Sequence, residues 1–163
     1  VGVNTAMTID GTGNVGIGST IPGSVLDVNG IVNAKGFRDA TSSVYTIANG
    51  ATTFALTDAS GVALLQTSAT SAAATITTIT GCNGGTIAQG QKVTFVTAAL
   101  AASSTVTLGD TAVGTATADS MVLSSAFTTA ASSNNVGSSI TLLCTTISGT
   151  KRWIEVSRSL NAN

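Results

Sequence analysis

Histidine is absent from the 163 residues, charged side chains make up only 8% of them, and Pro22 is the single proline. Without histidine the commonest general base and the usual partner of a Ser or Cys nucleophile are missing. Six Lys and Arg against seven Asp and Glu leave a net charge of -1, which offers no field for nucleic acid or for an anionic lipid surface. Every hydrophobic stretch is interrupted by Thr, Ser or Gly before it reaches the roughly 18 residues a bilayer-spanning helix requires, so no membrane insertion is expected. The two cysteines, Cys82 and Cys144, lack C-x-x-C spacing and have no histidine to join at a metal. Each reads as a buried thiol by default, and pairing between them stays open. The opening "VGVNTAMTI" has neither the basic start nor the apolar core of a signal peptide, and a chain starting at Val1 suggests a trimmed or partial N-terminus.

What is abundant is small and uncharged. Hydrophobic residues make up 43% of the chain and there are 18 glycines, so the surface must be built from Thr, Ser, Asn, Gly and Ala. Such a surface does not repel its own copies, and small side chains let backbones approach closely, which favours a symmetric oligomer.

Helix signals are scarce and strand signals plentiful. "SITLLCTTI" and "TVTLGD" alternate apolar and polar residues, and further candidates are "VYTIANG", "TTFALTD", "VALLQT", "TITTIT", "KVTFVTA", "SMVLSSAF" and "RWIEVSRS". Turn residues such as "DASG", "GCNGG" and "SSNNVG" separate them. The spacing predicts an all-β sandwich or barrel, with "TAALAASS" and "SMVLSSAFTTA" each able to hold a helical turn. Residues 1–39 differ from the rest. They are denser in Gly and Asn, show no run of three adjacent strands, and are too few to bury a core alone. Residues 40–163 carry enough alternation for a core of their own.

Within the first part, "DGTGNVGIG" places Gly11, Gly13 and Gly16 at the G-x-G-x-x-G spacing of a dinucleotide-binding turn. That motif requires a buried strand before it and a helix after it. Here Gly2 and Asn4 interrupt the upstream segment, while Pro22, Gly23, Asn29 and Gly30 would break a helix begun at Gly16. The glycines therefore read as turn and close-packing positions in a β segment. "GGTIAQGQK" similarly approaches a P-loop but has Gln91 in place of its lysine and Val93 after Lys92, and it reads as a hairpin turn.

"MTIDGTGNVGIGSTIPGSVLDVNGIVNAKGF", residues 7–37, resembles a segment of bacteriophage tail fibres and related trimeric appendages whose pattern is close to "GNVGIGTTSPxxxLDVxG". Val15, Ile17, Pro22, Leu26, Val28 and Gly30 fall on its typical positions. In that family the segment forms a narrow intertwined β stem in which three chains share one apolar axis. The resemblance therefore implies that Val15, Ile17, Leu26 and Val28 are stem contacts of a homotrimer. "TITTITGCNGGTIAQGQKVTFV", residues 75–96, and "KRWIEVSRS", residues 151–159, also look like parts of a phage fibre domain, implying a β-sandwich, jelly-roll-like knob on the stem. The Ala-rich middle, "TAALAASSTVTLGDTAVGTATADS", departs from the family pattern and is a candidate position for receptor-contacting loops.

A glycosidase pair would need two of Asp10, Asp27, Asp39, Asp58, Asp110, Asp119 and Glu155 in one cleft. Most sit in turn contexts, "IDG", "TDASG" and "LGD", where Asp bonds its own backbone. Lys151, Arg152 and Arg158 read as a solvated strand edge. Trp153 reads as a core or interface anchor, because Ile154 and Val156 alternate away from it. Phe37, Tyr45, Phe54, Phe95 and Phe127 show no regular stacking array.

No catalytic residue, cofactor or metal is expected. The expected role is that of a virion structural protein: a trimeric tail fibre or spike module attaching to a host glycan or protein through several weak contacts. Its partners would be its own copies and other virion proteins met through the N-terminal segment, on a particle assembled in the bacterial cytoplasm. A capsid decoration protein or head fibre is the alternative, and a polysaccharide-cleaving spike a minor one.

Overall fold

Thr, Val and Ile recur at alternating positions and only one short run after another escapes a turn residue, so the backbone is drawn into brief strands. The computed structural model describes residues 6–36, 43–58, 60–68, 72–111, 117–130 and 136–161. All regular structure among them is β, and none of it is a helix long and apolar enough to cross a membrane. The chain divides into two units, Val1–Arg38 and Asp39–Asn163.

The first unit holds β1 (Met7–Ile9), β2 (Val15–Ile17) and β3 (Leu26–Val28) in one sheet of that order. β1 and β2 are antiparallel, and β2 and β3 are parallel. The expectation of no three adjacent strands is thus corrected: each strand is only three residues long, too short to register as alternation in the sequence. The Asp10 carboxylate closes the first turn by accepting from the N–H groups of Thr12 and Asn14, at 2.8 and 2.9 Å. Gly13 there takes φ +89°, a conformation that side chains disfavour. No helix follows Gly16. A Cβ at that position would lie 2.3 Å from the Ser19 carbonyl oxygen, so the glycine serves close backbone approach.

The second unit is coiled. β4 (Ser43–Ile47), β6 (Val62–Thr67) and β9 (Lys92–Ala99) lie side by side and parallel in a six-stranded sheet. Between these passes the chain visits smaller sheets: β5 (Thr53–Ala55) pairs in parallel with β8 (Thr78–Thr80), and β7 (Ala73–Ile76) with β10 (Thr105–Leu108). Parallel neighbours need a crossover, and here each crossover is made of strands of other sheets. Equivalent residues of successive passes therefore stack: Tyr45 beside Leu65 beside Thr97, Ala74 beside Val106, Ile76 beside Leu108.

β11 (Met121–Val122) joins the six-stranded sheet in parallel with β14 (Thr150–Ser159), and β12 (Phe127–Ala130) pairs antiparallel with β10. β13 (Ser139–Ile147) completes the sheet, whose order is β11-β14-β13-β9-β6-β4. β13 and β14 form a hairpin through Ser148 and Gly149, both at positive φ, +50° and +79°.

An all-β fold was legible, but a jelly roll is an antiparallel architecture. Here β4, β6 and β9, the β7–β10 and β5–β8 pairs, and β11 with β14 are parallel. The jelly-roll expectation is corrected to a coiled arrangement, because hydrophobic alternation specifies which face of a strand is buried and says nothing of its direction. "GGTIAQGQK" is likewise no hairpin turn: it links β8 of one sheet to β9 of another. "TAALAASS" and "SMVLSSAFTTA" contain no helical turn. The former leaves β9 into a turn with Ser103 at φ +59°, and the latter is divided into β11 and β12.

One core joins these sheets. Phe95, Ile140, Leu142 and Trp153 of the large sheet and Ile76, Ile79, Val106 and Leu108 of the smaller ones are buried together. Tyr45, Phe54, Phe95 and Trp153 form a continuous line of tilted and edge-to-face rings, with centroids 5.7, 5.9 and 6.3 Å apart. The aromatic residues are scattered in sequence and stacked in space, which corrects the reading of no array. Phe127 lies instead beneath the Arg158 guanidinium, and Phe37 lies outside the described residues. Cys82 and Cys144 are joined in a disulfide that ties the β8–β9 loop to β13, so neither is a free thiol.

Candidate functional site

The carboxylates are taken up by the backbone. Asp27 accepts from the Gly23 N–H and the Ser19 hydroxyl, Asp58 from the Ser60 N–H and from the hydroxyls of Ser60 and Ser43. Asp110 accepts from the Leu123 N–H and Asp119 from the Asn83 N–H. Hydrogen bonds to the Thr12 hydroxyl and the Asn14 N–H hold Asp10 below the usual carboxylate range, and those to Ser60 do the same for Asp58. Asp39 lies outside the described residues. Among those residues no group of three His, Cys, Asp or Glu side chains could hold a metal ion.

The three basic residues of the last strand are not a solvated edge. β14 lies between β11 and β13, Arg152 is buried, and Arg158 pairs with Glu155 at 2.6 Å. The Arg158 hydrogen bond, helped by the Ser124 N–H, brings the Glu155 carboxyl down to about 2. The same pairing raises Arg158. This network fastens the segment between β11 and β12 to β14. Trp153 is fully buried, and its indole N–H donates to the Ile79 carbonyl at 2.7 Å, joining the large sheet to β8. Residues 112–116, part of the Ala-rich middle, lie outside the described residues.

The candidate site lies in the first unit. Register places Met7, Ile17 and Val28 in one row across its sheet, and Ile9, Val15 and Leu26 in the next. Paired residues of neighbouring strands point to the same side, so six apolar side chains share one face. Thr8, Gly16 and Asp27 occupy the other face, where the segment carrying Ser19 packs on Gly16 and Ser19 bonds Asp27. Met7, Ile9 and Leu26 are 58%, 62% and 61% exposed, Ile17 is exposed, and Val15 and Val28 are half-buried.

Within residues 6–36 only Gly16 and Pro22 are buried. The unit, Val1–Arg38, is shorter than the roughly 40 residues below which a domain needs a disulfide, a metal or a partner to be stable. Compared with protein-family models, with curated proteins and with solved structures, the chain matches none. The geometry of this face therefore carries the functional argument.

The structure brings Val15, Ile17, Leu26 and Val28 together on one surface. It adds Met7 and Ile9, which the sequence reading passed over. Their signal was the alternation of "MTI" immediately before the "DGTGN" turn, which a hairpin would fold onto Val15 and Ile17. Chemically the face can exclude water against another apolar surface, and it carries no charged group to orient a polar ligand.

Proposed function

We propose that the chain is a structural protein of a bacteriophage virion, a homotrimeric tail fibre or spike module whose first unit is a shared β stem and whose second is a β-rich knob. The observation that carries this reading is the missing core of the first unit: six apolar side chains on one face, with Gly16 and Pro22 the only buried residues among 6–36. Three copies turning these faces to a common axis would supply that core from one another. The stem resemblance of residues 7–37 points the same way.

Attachment through three identical knobs raises avidity without a strong single site. The Cys82–Cys144 disulfide suits a protein that works outside the cell, since disulfides form and persist in oxidising surroundings.

Two measurements test the reading. Light scattering on a sizing column is expected to return three times the 15.9 kDa chain mass, and a monomer would overturn the stem. Antibody labelling of purified particles is expected to mark the tail. Label on the capsid shell would replace the tail assignment by a decoration protein or head fibre, and no label on particles would overturn the virion role.

A further inference from the structure

Asparagine is followed by glycine at three places, Asn29–Gly30, Asn49–Gly50 and Asn83–Gly84. The pair carries a chemistry of its own. Glycine has no side chain to obstruct its amide nitrogen, and its backbone bends freely toward the preceding residue. Whether that nitrogen reaches the asparagine Cγ depends on what holds the two residues, and here the three pairs differ.

At Asn49 both reacting groups are occupied. Its Oδ1 accepts from the Ala73 N–H at 3.0 Å, and the Gly50 N–H donates to the Ala73 carbonyl at 2.7 Å. Asn83 is exposed, but its backbone is fixed on either side. Cys82 before it is bonded to Cys144, and the Asn83 N–H donates to the Asp119 carboxylate at 2.7 Å. A Cβ on Gly85 would lie 2.4 Å from the Gly81 Cα, so this turn is packed backbone against backbone. Asn29 is held least. Its side chain makes one long bond, Nδ2 to the Gly18 carbonyl at 3.3 Å, and a Cβ on Gly30 would meet nothing within 4 Å. Residues 30–36 are all exposed and lie outside any strand.

We propose that Asn29–Gly30 is a self-modification site, where the asparagine converts to aspartate and isoaspartate without an enzyme and ahead of the other two pairs. The Gly30 nitrogen gives its proton to water and attacks Asn29 Cγ. The new N–Cγ bond closes a five-membered succinimide, and the side-chain nitrogen leaves as ammonia. One water then opens the ring, at Cγ to give aspartate or at the main-chain carbonyl carbon to give isoaspartate. An amide and a water become a carboxylic acid and ammonia, with nothing oxidised or reduced.

The nitrogen that departs is the one that bonds Gly18. A carboxylate in its place has no proton to offer that carbonyl. Isoaspartate also lengthens the main chain beside the Asn29 N–H, which donates to the Ile17 carbonyl at 2.9 Å. Either product frees the end of β3 from β2 and adds a negative charge to a chain whose net charge is -1.

The test is to age the folded full chain in mildly alkaline buffer and map its peptides by mass spectrometry, with isoaspartate distinguished by chromatography. Both products are expected at residue 29 while residues 49 and 83 remain asparagine, and all three should react at similar rates in denaturant with the disulfide reduced. Gly30→Ala, which has room for its Cβ, should lose most of the product at residue 29. Asn29→Asp should be cut faster within residues 6–36 by limited protease. An unchanged Asn29, equal reaction at residue 49 or 83 in the folded chain, or aspartate without isoaspartate would overturn the site. Unaltered protease resistance of Asn29→Asp would overturn the loosening of β3.

Discussion

Gly16 and Glu155 show how much single residues carry in a chain so poor in chemistry. The Cβ of an alanine at Gly16 would meet backbone, which cannot rotate away, whereas Gly11 has open space around it. Gly16→Ala should destabilise the first unit by about 2 kcal/mol, with Gly11→Ala close to neutral. Limited proteolysis reads this as faster cutting within residues 6–36, and equal resistance of the two variants would contradict the close-approach argument.

Glu155 has its carboxyl lowered from 4.5 to about 2 in the folded chain. A depressed carboxylate stabilises the fold fully above its unfolded value, and that contribution fades as pH falls from about 4.5 toward 2. Glu155→Gln should therefore lose about 1 kcal/mol at neutral pH, a modest figure because water still reaches the pair. Melting curves of the two proteins should converge near pH 2, and a constant gap down to that pH would show the ionised pair is not the cause.

Among the elements, the β13–β14 hairpin and the β8–β9 loop are the places where connection decides stability. Ser148 takes a left-handed conformation that asparagine tolerates better, beside a glycine that already suits it. Ser148→Asn is expected to stabilise the second unit by about 0.5–1 kcal/mol in denaturant titration. The disulfide closes a separation of 62 residues. By loop entropy alone it contributes about 4 kcal/mol, so Cys82→Ala with Cys144→Ala should lower the unfolding free energy by up to that amount. A much smaller loss would mean that the hydrogen bonds between Gly90, Gln91 and Cys144 hold the loop unaided.

For the whole molecule, assembly and stability are one question. On the proposed trimeric reading a first unit without a core finds one in its copies, and a charge on its apolar face would forbid that. Ile17→Glu should convert the trimer to monomer by light scattering while leaving the second unit's near-ultraviolet signal from Trp153 intact. A trimer that survives the change would show that association does not run through this face. The same neutrality that permits assembly also leaves little to prevent non-specific association, and the variant should be the more soluble protein at equal concentration.

Composition and alternation by themselves determined that the chain is all β, that it lacks a histidine-based catalytic set, and that residues 1–39 cannot bury a core alone. The resemblance of residues 7–37 to a trimeric fibre stem singled out Val15, Ile17, Leu26 and Val28, and their alternation with Gly16 and Asp27 agrees with it, because alternation within a strand records which side is dry. Strand direction, the stacking of Tyr45, Phe54, Phe95 and Trp153, the Cys82–Cys144 bond and the burial of Arg152 were decided only by tertiary structure. Each depends on which distant segment becomes the neighbour. A parallel and an antiparallel strand bury the same alternating side chains, so local pattern cannot tell one from the other, and only the path of the chain through its crossovers settles the choice.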